Sequence, residues 1–152
     1  MIRILFICHG NICRSPMAEF VMKDIVKNAG RGAHYAIASA ATSSEELGNP
    51  VYPPVRKLLT AHGIDVSGKT ARRLTPEDYA QYDLLIGMDE ANIRNISRIC
   101  GGDPEGKIRL LLAYTGENRP VSDPWYTRDF DCAYRDILSG CQALFKAFEG
   151  AR

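Results

Sequence analysis

Ile2-Arg3-Ile4-Leu5-Phe6-Ile7 runs directly into Cys8-His9-Gly10-Asn11-Ile12-Cys13-Arg14-Ser15, and a helical pattern opening Pro16-Met17-Ala18-Glu19 follows. The first six residues are brief, branched or aromatic, and end at a Gly-Asn turn signal, which predicts a short buried strand. Pro16 and Glu19 suit a first helical turn, with Ser15 as its expected cap. A strand, a tight loop and a helix N-terminus aim backbone N–H groups and a helix dipole at one point, and that point suits phosphate. Cys8 opens the loop. A helix N-terminus and a nearby arginine both favour the nucleophilic thiolate, and the Arg14 fork matches two phosphate oxygens. A thiolate beneath a phosphate cradle is arranged for phosphoryl transfer to sulfur.

The 152 residues suffice for one well-buried core, and a single domain over residues 1–152 is expected. Lys plus Arg is 19 and Asp plus Glu is 18. That balance argues against a nucleic-acid or membrane partner. No stretch approaches the ~20 apolar residues of a membrane span, and the apolar start is too short for a signal peptide. The five cysteines lack zinc-type spacing, as in a cytoplasmic protein. Cys100, Cys132 and Cys141 read as structural, the last two as core positions of a helix.

Further strands are predicted near 35–39, 83–87 and 108–112, and helices over 16–29, from the Asn49–Pro54 loop through His62 to a stop at Gly63, and over 130–148. Thr75-Pro76-Glu77-Asp78 is a helix start with a capping hydroxyl, and Asp89 caps another helix that stops at Gly101-Gly102. This alternation predicts an α/β fold, a parallel sheet with helices on both faces, and a ligand site beyond the carboxyl ends of its strands, where Cys8 lies.

The run from Cys8 to Glu19 resembles the signature loop of the low molecular weight protein tyrosine phosphatases. Asp123-Pro124-Trp125-Tyr126 resembles that family's second motif, and Ser39 matches a family serine that supports the loop asparagine. The resemblance covers essentially the whole chain and implies four strands in the order 2-1-3-4. It implies Cys8 as nucleophile, Arg14 as phosphate and transition-state binder, and Asp123 as general acid and then base, with no metal or cofactor. Gly10 and Asn11 are expected to let the loop take left-handed backbone angles so that its amides converge, and the resemblance implies that Asn11 bonds Ser39. Ser15 is expected to donate to the Cys8 thiolate. His9 falls at a variable position, as a member of the phosphate loop with Gly10, Asn11, Ile12, Cys13 and Ser15. The resemblance further implies a reversible Cys8–Cys13 disulfide under oxidation.

Trp125 and Tyr126 are expected to flank an aromatic substrate ring. Ile12 matches the tyrosine phosphatases, whereas related protein arginine phosphatases carry threonine there. The implied substrate is therefore a phosphotyrosine protein, with inorganic phosphate as product, acted on by a monomer or weak dimer. Two departures stand out. Ser43-Ser44-Glu45-Glu46 is acidic where many relatives place a rim tryptophan, and Ser67-Gly68-Lys69-Thr70-Ala71-Arg72 lacks a histidine that some relatives have. The Glu45 rim is expected to favour basic residues beside the phosphotyrosine. The alternatives are a protein arginine phosphatase, an arsenate reductase (which needs relay cysteines where only Cys100 occurs) and a non-catalytic phosphate-binding module.

Overall fold

The computed structural model describes residues 1–150. Strand β1 (Ile2–Cys8) is central, and Ile4, Leu5, Phe6 and Ile7 are fully buried. An unbroken apolar run is what a strand covered on both faces requires, and each such side chain contributes roughly 1.5–3 kcal/mol by leaving water. β2 (Tyr35–Ala41) and β3 (Leu84–Gly87) pair with β1 on either side, and β4 (Ile108–Leu110) pairs with β3. All pairings are parallel and the order is β2-β1-β3-β4, as expected.

The alternating sides of β1 feed two cores. Ile4, Phe6 and Cys8 pack with α1 (Arg14–Asn28), α2 (Pro53–Ala61) and α6 (Phe130–Gly150). Leu5 and Ile7 pack with α3 (Asp78–Gln81) and α4 (Glu90–Cys100) on the other face. Between β4 and α6 lie a 3₁₀ turn, Leu111–Thr115, and the short helix α5 (Pro124–Thr127). No helix among the described residues is long and apolar enough to cross a membrane.

Several local expectations are corrected. Helix α1 begins at Arg14, two residues early, and no side chain caps it, so Ser15 is not a cap. The fourth strand stops at Leu110 because Leu111 and Leu112 turn into the 3₁₀ segment, where both are buried. Thr75 does not cap a helix with its hydroxyl. The helix begins only at Asp78, whose carboxylate accepts both the Thr75 N–H and its hydroxyl. Cys141 is core, but Cys132 is only half-buried, because it sits on the flank of α6. Asp89 does cap α4, through a capping box with Asn92, and Gly101 ends that helix at φ +78°.

Helix α6 approaches the Leu111–Thr115 turn closely at Gly140. A Cβ there would lie 2.5 Å from Cγ of the fully buried Leu111. Gly140→Ala is therefore expected to cost about 1–3 kcal/mol through overpacking. Urea unfolding checks this, and a wild-type midpoint would mean that Leu111 repacks freely.

Candidate active site

Cys8 is the last residue of β1 and lies at its carboxyl end. The loop after it is held from outside by backbone bonds. Thr42 N donates to Cys8 O at 3.0 Å, Ser43 N to His9 O at 3.1 Å and Tyr52 N to Ile12 O at 2.9 Å. It is held from inside by Asn11, which adopts φ +59°. Gly10 does not take a left-handed angle. Its lack of a side chain serves space instead, since a Cβ would meet Glu46 Cγ at 3.3 Å.

Asn11 is 1% exposed and uses every polar atom of its side chain. Nδ2 donates to Ser15 Oγ (2.8 Å) and Ser39 Oγ (2.9 Å), while Oδ1 accepts from Arg72 N (3.2 Å). The Asn11–Ser39 bond is thus present. Ser15 Oγ accepts from Asn11 and lies 3.0 Å from Cys8 Sγ, so its own proton is free for the sulfur. Asn11 N also donates to Cys8 Sγ at 3.3 Å.

Behind Ser39 lies a buried ionic layer that sequence reading missed. Ser39 Oγ donates to Glu19 Oε1 at 2.5 Å, and Lys23 Nζ to Glu19 Oε2 at 2.6 Å. Lys69 Nζ donates to the Ser39 carbonyl at 3.0 Å and lies 3.5 Å from Glu19 Oε1. Burial pulls the Lys69 ammonium below the ordinary lysine range, against the attraction of Glu19. The available signal was the pair Glu19–Lys23 at helical spacing. The join to Lys69 needed the fold.

Arg14, 4% exposed, emerges from the first turn of α1 with its guanidinium fixed. Nη2 donates to Asp89 Oδ2 at 2.8 Å and lies 3.4 Å from Asp123 Oδ2, while Nη1 donates to the Val121 carbonyl at 3.1 Å. Asp89 therefore does two jobs, capping α4 with Oδ1 and orienting Arg14 with Oδ2. Its capping role was legible from sequence, but its hold on Arg14 was not. Asp123 also accepts Trp125 N at 3.0 Å as the cap of α5.

These groups border one cleft of about 290 Å³, lined by Cys8, Ile12, Cys13, Arg14 and Asp123, with His9, Glu45, Glu46, Trp125 and Tyr126 at its mouth. The sequence-predicted residues thus converge, apart from Asn11, Ser15 and Ser39, which form its buried support. His9 Nε2 and Glu45 Oε2 are 3.0 Å apart. Tyr126 is 83% exposed, whereas Trp125 leans on Tyr52 with ring centroids 5.2 Å apart, and Arg128 lies over the Trp125 ring. Burial, then the neighbouring Cys8 and Asp123 charges, push the Cys13 thiol up to about 12. Cys100 belongs to the core on the other face of the sheet. Among the described residues, no three His, Cys, Asp or Glu side chains are grouped as a metal site requires.

Residues 3–151 match the family model for low molecular weight phosphotyrosine protein phosphatase. The chain belongs to this family. It is 33% identical over 151 residues to the low molecular weight protein-tyrosine-phosphatase YfkJ of Bacillus subtilis, covering 98% of this chain and 97% of that one. The crystal structure of YfkJ superposes with a TM-score of 0.96 at 32% identity, over 100% of this chain and 97% of the other. The human low molecular weight phosphotyrosine protein phosphatase is 36% identical over 148 residues, 94% of this chain and 93% of its own. A Drosophila arginine phosphatase superposes with a TM-score of 0.88 at 27% identity, over 95% of this chain and 96% of that chain.

The ionic layer makes a testable demand. Glu19→Gln leaves two lysines short of their carboxylate, with an expected loss of roughly 1–3 kcal/mol and weaker competitive inhibition by inorganic phosphate. Denaturant unfolding and inhibition constants check both. Unchanged values would mean that the loop holds its shape without Glu19.

Proposed function

We propose that this single-domain enzyme hydrolyses phosphotyrosine in proteins through a phosphocysteine intermediate. The carrying observation is the juxtaposition, in one cleft, of Cys8 Sγ, a guanidinium fixed by Asp89 and Val121, and the Asp123 carboxyl 3.4 Å from that guanidinium. Cys8 attacks phosphorus while the ester oxygen departs with a proton from Asp123. Arg14 and the uncapped N-terminus of α1 stabilise the charge on the transferring phosphoryl group. Asp123, now a carboxylate, takes a proton from water, which attacks phosphorus and releases inorganic phosphate. The sulfur leaves as thiolate, stabilised by Ser15 Oγ and Asn11 N. No step requires a metal.

Substrate choice rests on the apolar Ile12 in the cleft and on the exposed rings of Trp125 and Tyr126, which suit a phenyl group. The test is phosphate release from matched phosphotyrosine and phosphoarginine peptides, without added metal, by wild type and Cys8→Ser. Phosphotyrosine is expected to turn over faster, with at least a ~10³-fold loss in Cys8→Ser. Faster release from phosphoarginine would keep the nucleophile and overturn the substrate. Wild-type activity in Cys8→Ser would remove the nucleophile.

Cys8 and Cys13 are both free thiols. We propose that they form a disulfide after peroxide oxidises Cys8 to a sulfenic acid, the Cys13 thiolate attacking the Cys8 sulfur and expelling hydroxide. Because Cys13 is pushed up to about 12, its thiolate fraction rises with pH, and so should protection. In Cys13→Ser, recovery of peroxide-treated enzyme by dithiothreitol should fall sharply. Equal recovery would exclude the pair.

A further inference from the structure

The mechanism above needs Asp123 held in place, yet Asp123 sits in a stretch between Thr115 and Pro124 that has no regular structure. Two consecutive residues ahead of it are anchored. Val121 N donates to the Met88 carbonyl at 2.9 Å, and its own carbonyl receives Arg14. Ser122 N donates to Asp136 Oδ2 at 3.1 Å. Asp136 is 8% exposed and lies on the inner face of α6, among Ala133, Ile137 and Gly140.

A bare carboxylate at such a position is costly unless paired. Arg119 supplies the pair with a two-pronged contact, Nη2 to Oδ1 at 2.9 Å and Nη1 to Oδ2 at 3.1 Å, while also touching Glu117 Oε2 at 3.1 Å. Burial opposes ionisation of Asp136, but Arg119 and the Ser122 N–H hold its carboxyl below the ordinary range. Asp136 thus accepts three bonds, all from residues 119–122. An apolar residue would serve the packing of α6 better, and a helix interior has no spare backbone acceptor for a loop N–H.

We infer that Asp136, braced by Arg119, is a positioning residue that fixes the Asp123 carboxyl over the leaving-group oxygen. This rests on the reading of Asp123 as the general acid. Asp136 touches neither substrate nor the reacting atoms. It acts by clamping the backbone one residue before Asp123, where a displacement of about 1 Å costs up to ~10²-fold in rate.

The experiment exploits the leaving group. A general acid matters most when the departing oxygen is strongly basic and little when it is not. The readout is kcat/KM for phenyl phosphate against 4-nitrophenyl phosphate, in wild type, Asp136→Ala, Asp136→Asn, Arg119→Ala, Asp123→Ala and the Asp123→Ala/Asp136→Ala pair. Asp136→Ala is expected to lower the phenyl phosphate value about tenfold more than the nitrophenyl value. Asp136→Asn keeps an oxygen for Ser122 N–H and should recover most of that loss, and Arg119→Ala should fall between. With Asp123 already removed, Asp136→Ala should add no further selectivity. An equal fall for both substrates, as a smaller folded fraction would produce, overturns the inference, and so does extra selectivity in the double variant. If Asp136→Ala does not fold, Asp136→Asn and the half-exposed Arg119→Ala carry the same comparison. Selectivity in Asp123→Ala but in none of the Asp136 and Arg119 variants removes this inference alone. No selectivity in Asp123→Ala removes the acid assignment and this inference with it.

Discussion

One asparagine holds the site together. Asn11 occupies the left-handed region at φ +59°, which costs a non-glycine residue about 1 kcal/mol. Its side chain offsets that cost with three hydrogen bonds, each contributing on the order of 1 kcal/mol, to groups on three different segments: Ser15 in α1, Ser39 in β2 and the Arg72 backbone. Glycine would accept the angle without strain but could not make those bonds. The same residue's N–H donates to Cys8 Sγ. Backbone shape, loop anchoring and the environment of the sulfur therefore depend on a single side chain, and the Glu19–Lys23–Lys69 layer holds Ser39 from behind.

Charge at the site is handled by pairing at each stage. Arg14 is nearly inaccessible, yet Asp89 compensates and orients it, and Asp123 lies within reach of the same guanidinium. A guanidinium shared by two carboxylates and a carbonyl is held in one orientation, and in the proposed mechanism little reorganisation would remain for phosphoryl transfer. The mouth of the cleft is different in kind. Trp125 is steadied by Tyr52 and Arg128, while Tyr126 stands free, and His9 with Glu45 supplies a polar edge. In the proposed mechanism this sets fixed reacting groups beneath an exposed rim, where substrate contacts could vary without disturbing them.

Much of this was legible in the sequence because the decisive signals are local. The apolar run Ile2–Ile7, the Gly-Asn turn and the helix beyond it state their own geometry, and Asp89 and Gly101 mark both ends of α4. Where local signals had two readings, tertiary contacts decided. Ser15 has the chemistry of a helix cap but sits inside α1, where its hydroxyl serves Cys8 and Asn11. The apolar character of Leu111 and Leu112 fits a strand, yet both are buried as a 3₁₀ turn packed under α6. Lys69 and Asp136 have partners far away in the chain, Glu19 and Arg119, and the helical spacing of Glu19 and Lys23 does not reveal that Glu19 is buried. Their burial is a property of the assembled fold.

The most direct test is to find where the phosphoryl group goes. Asp123→Ala, turning over 4-nitrophenyl phosphate, keeps a departing group that needs little acid assistance but lacks the base for the hydrolytic step, so a covalent intermediate should accumulate. The reaction is quenched within milliseconds and the peptides are mapped by mass spectrometry. The phosphoryl group is expected on the sulfur of Cys8. A phosphoryl group on His9 or Cys13, or turnover with no covalent species at all, would contradict the proposed mechanism.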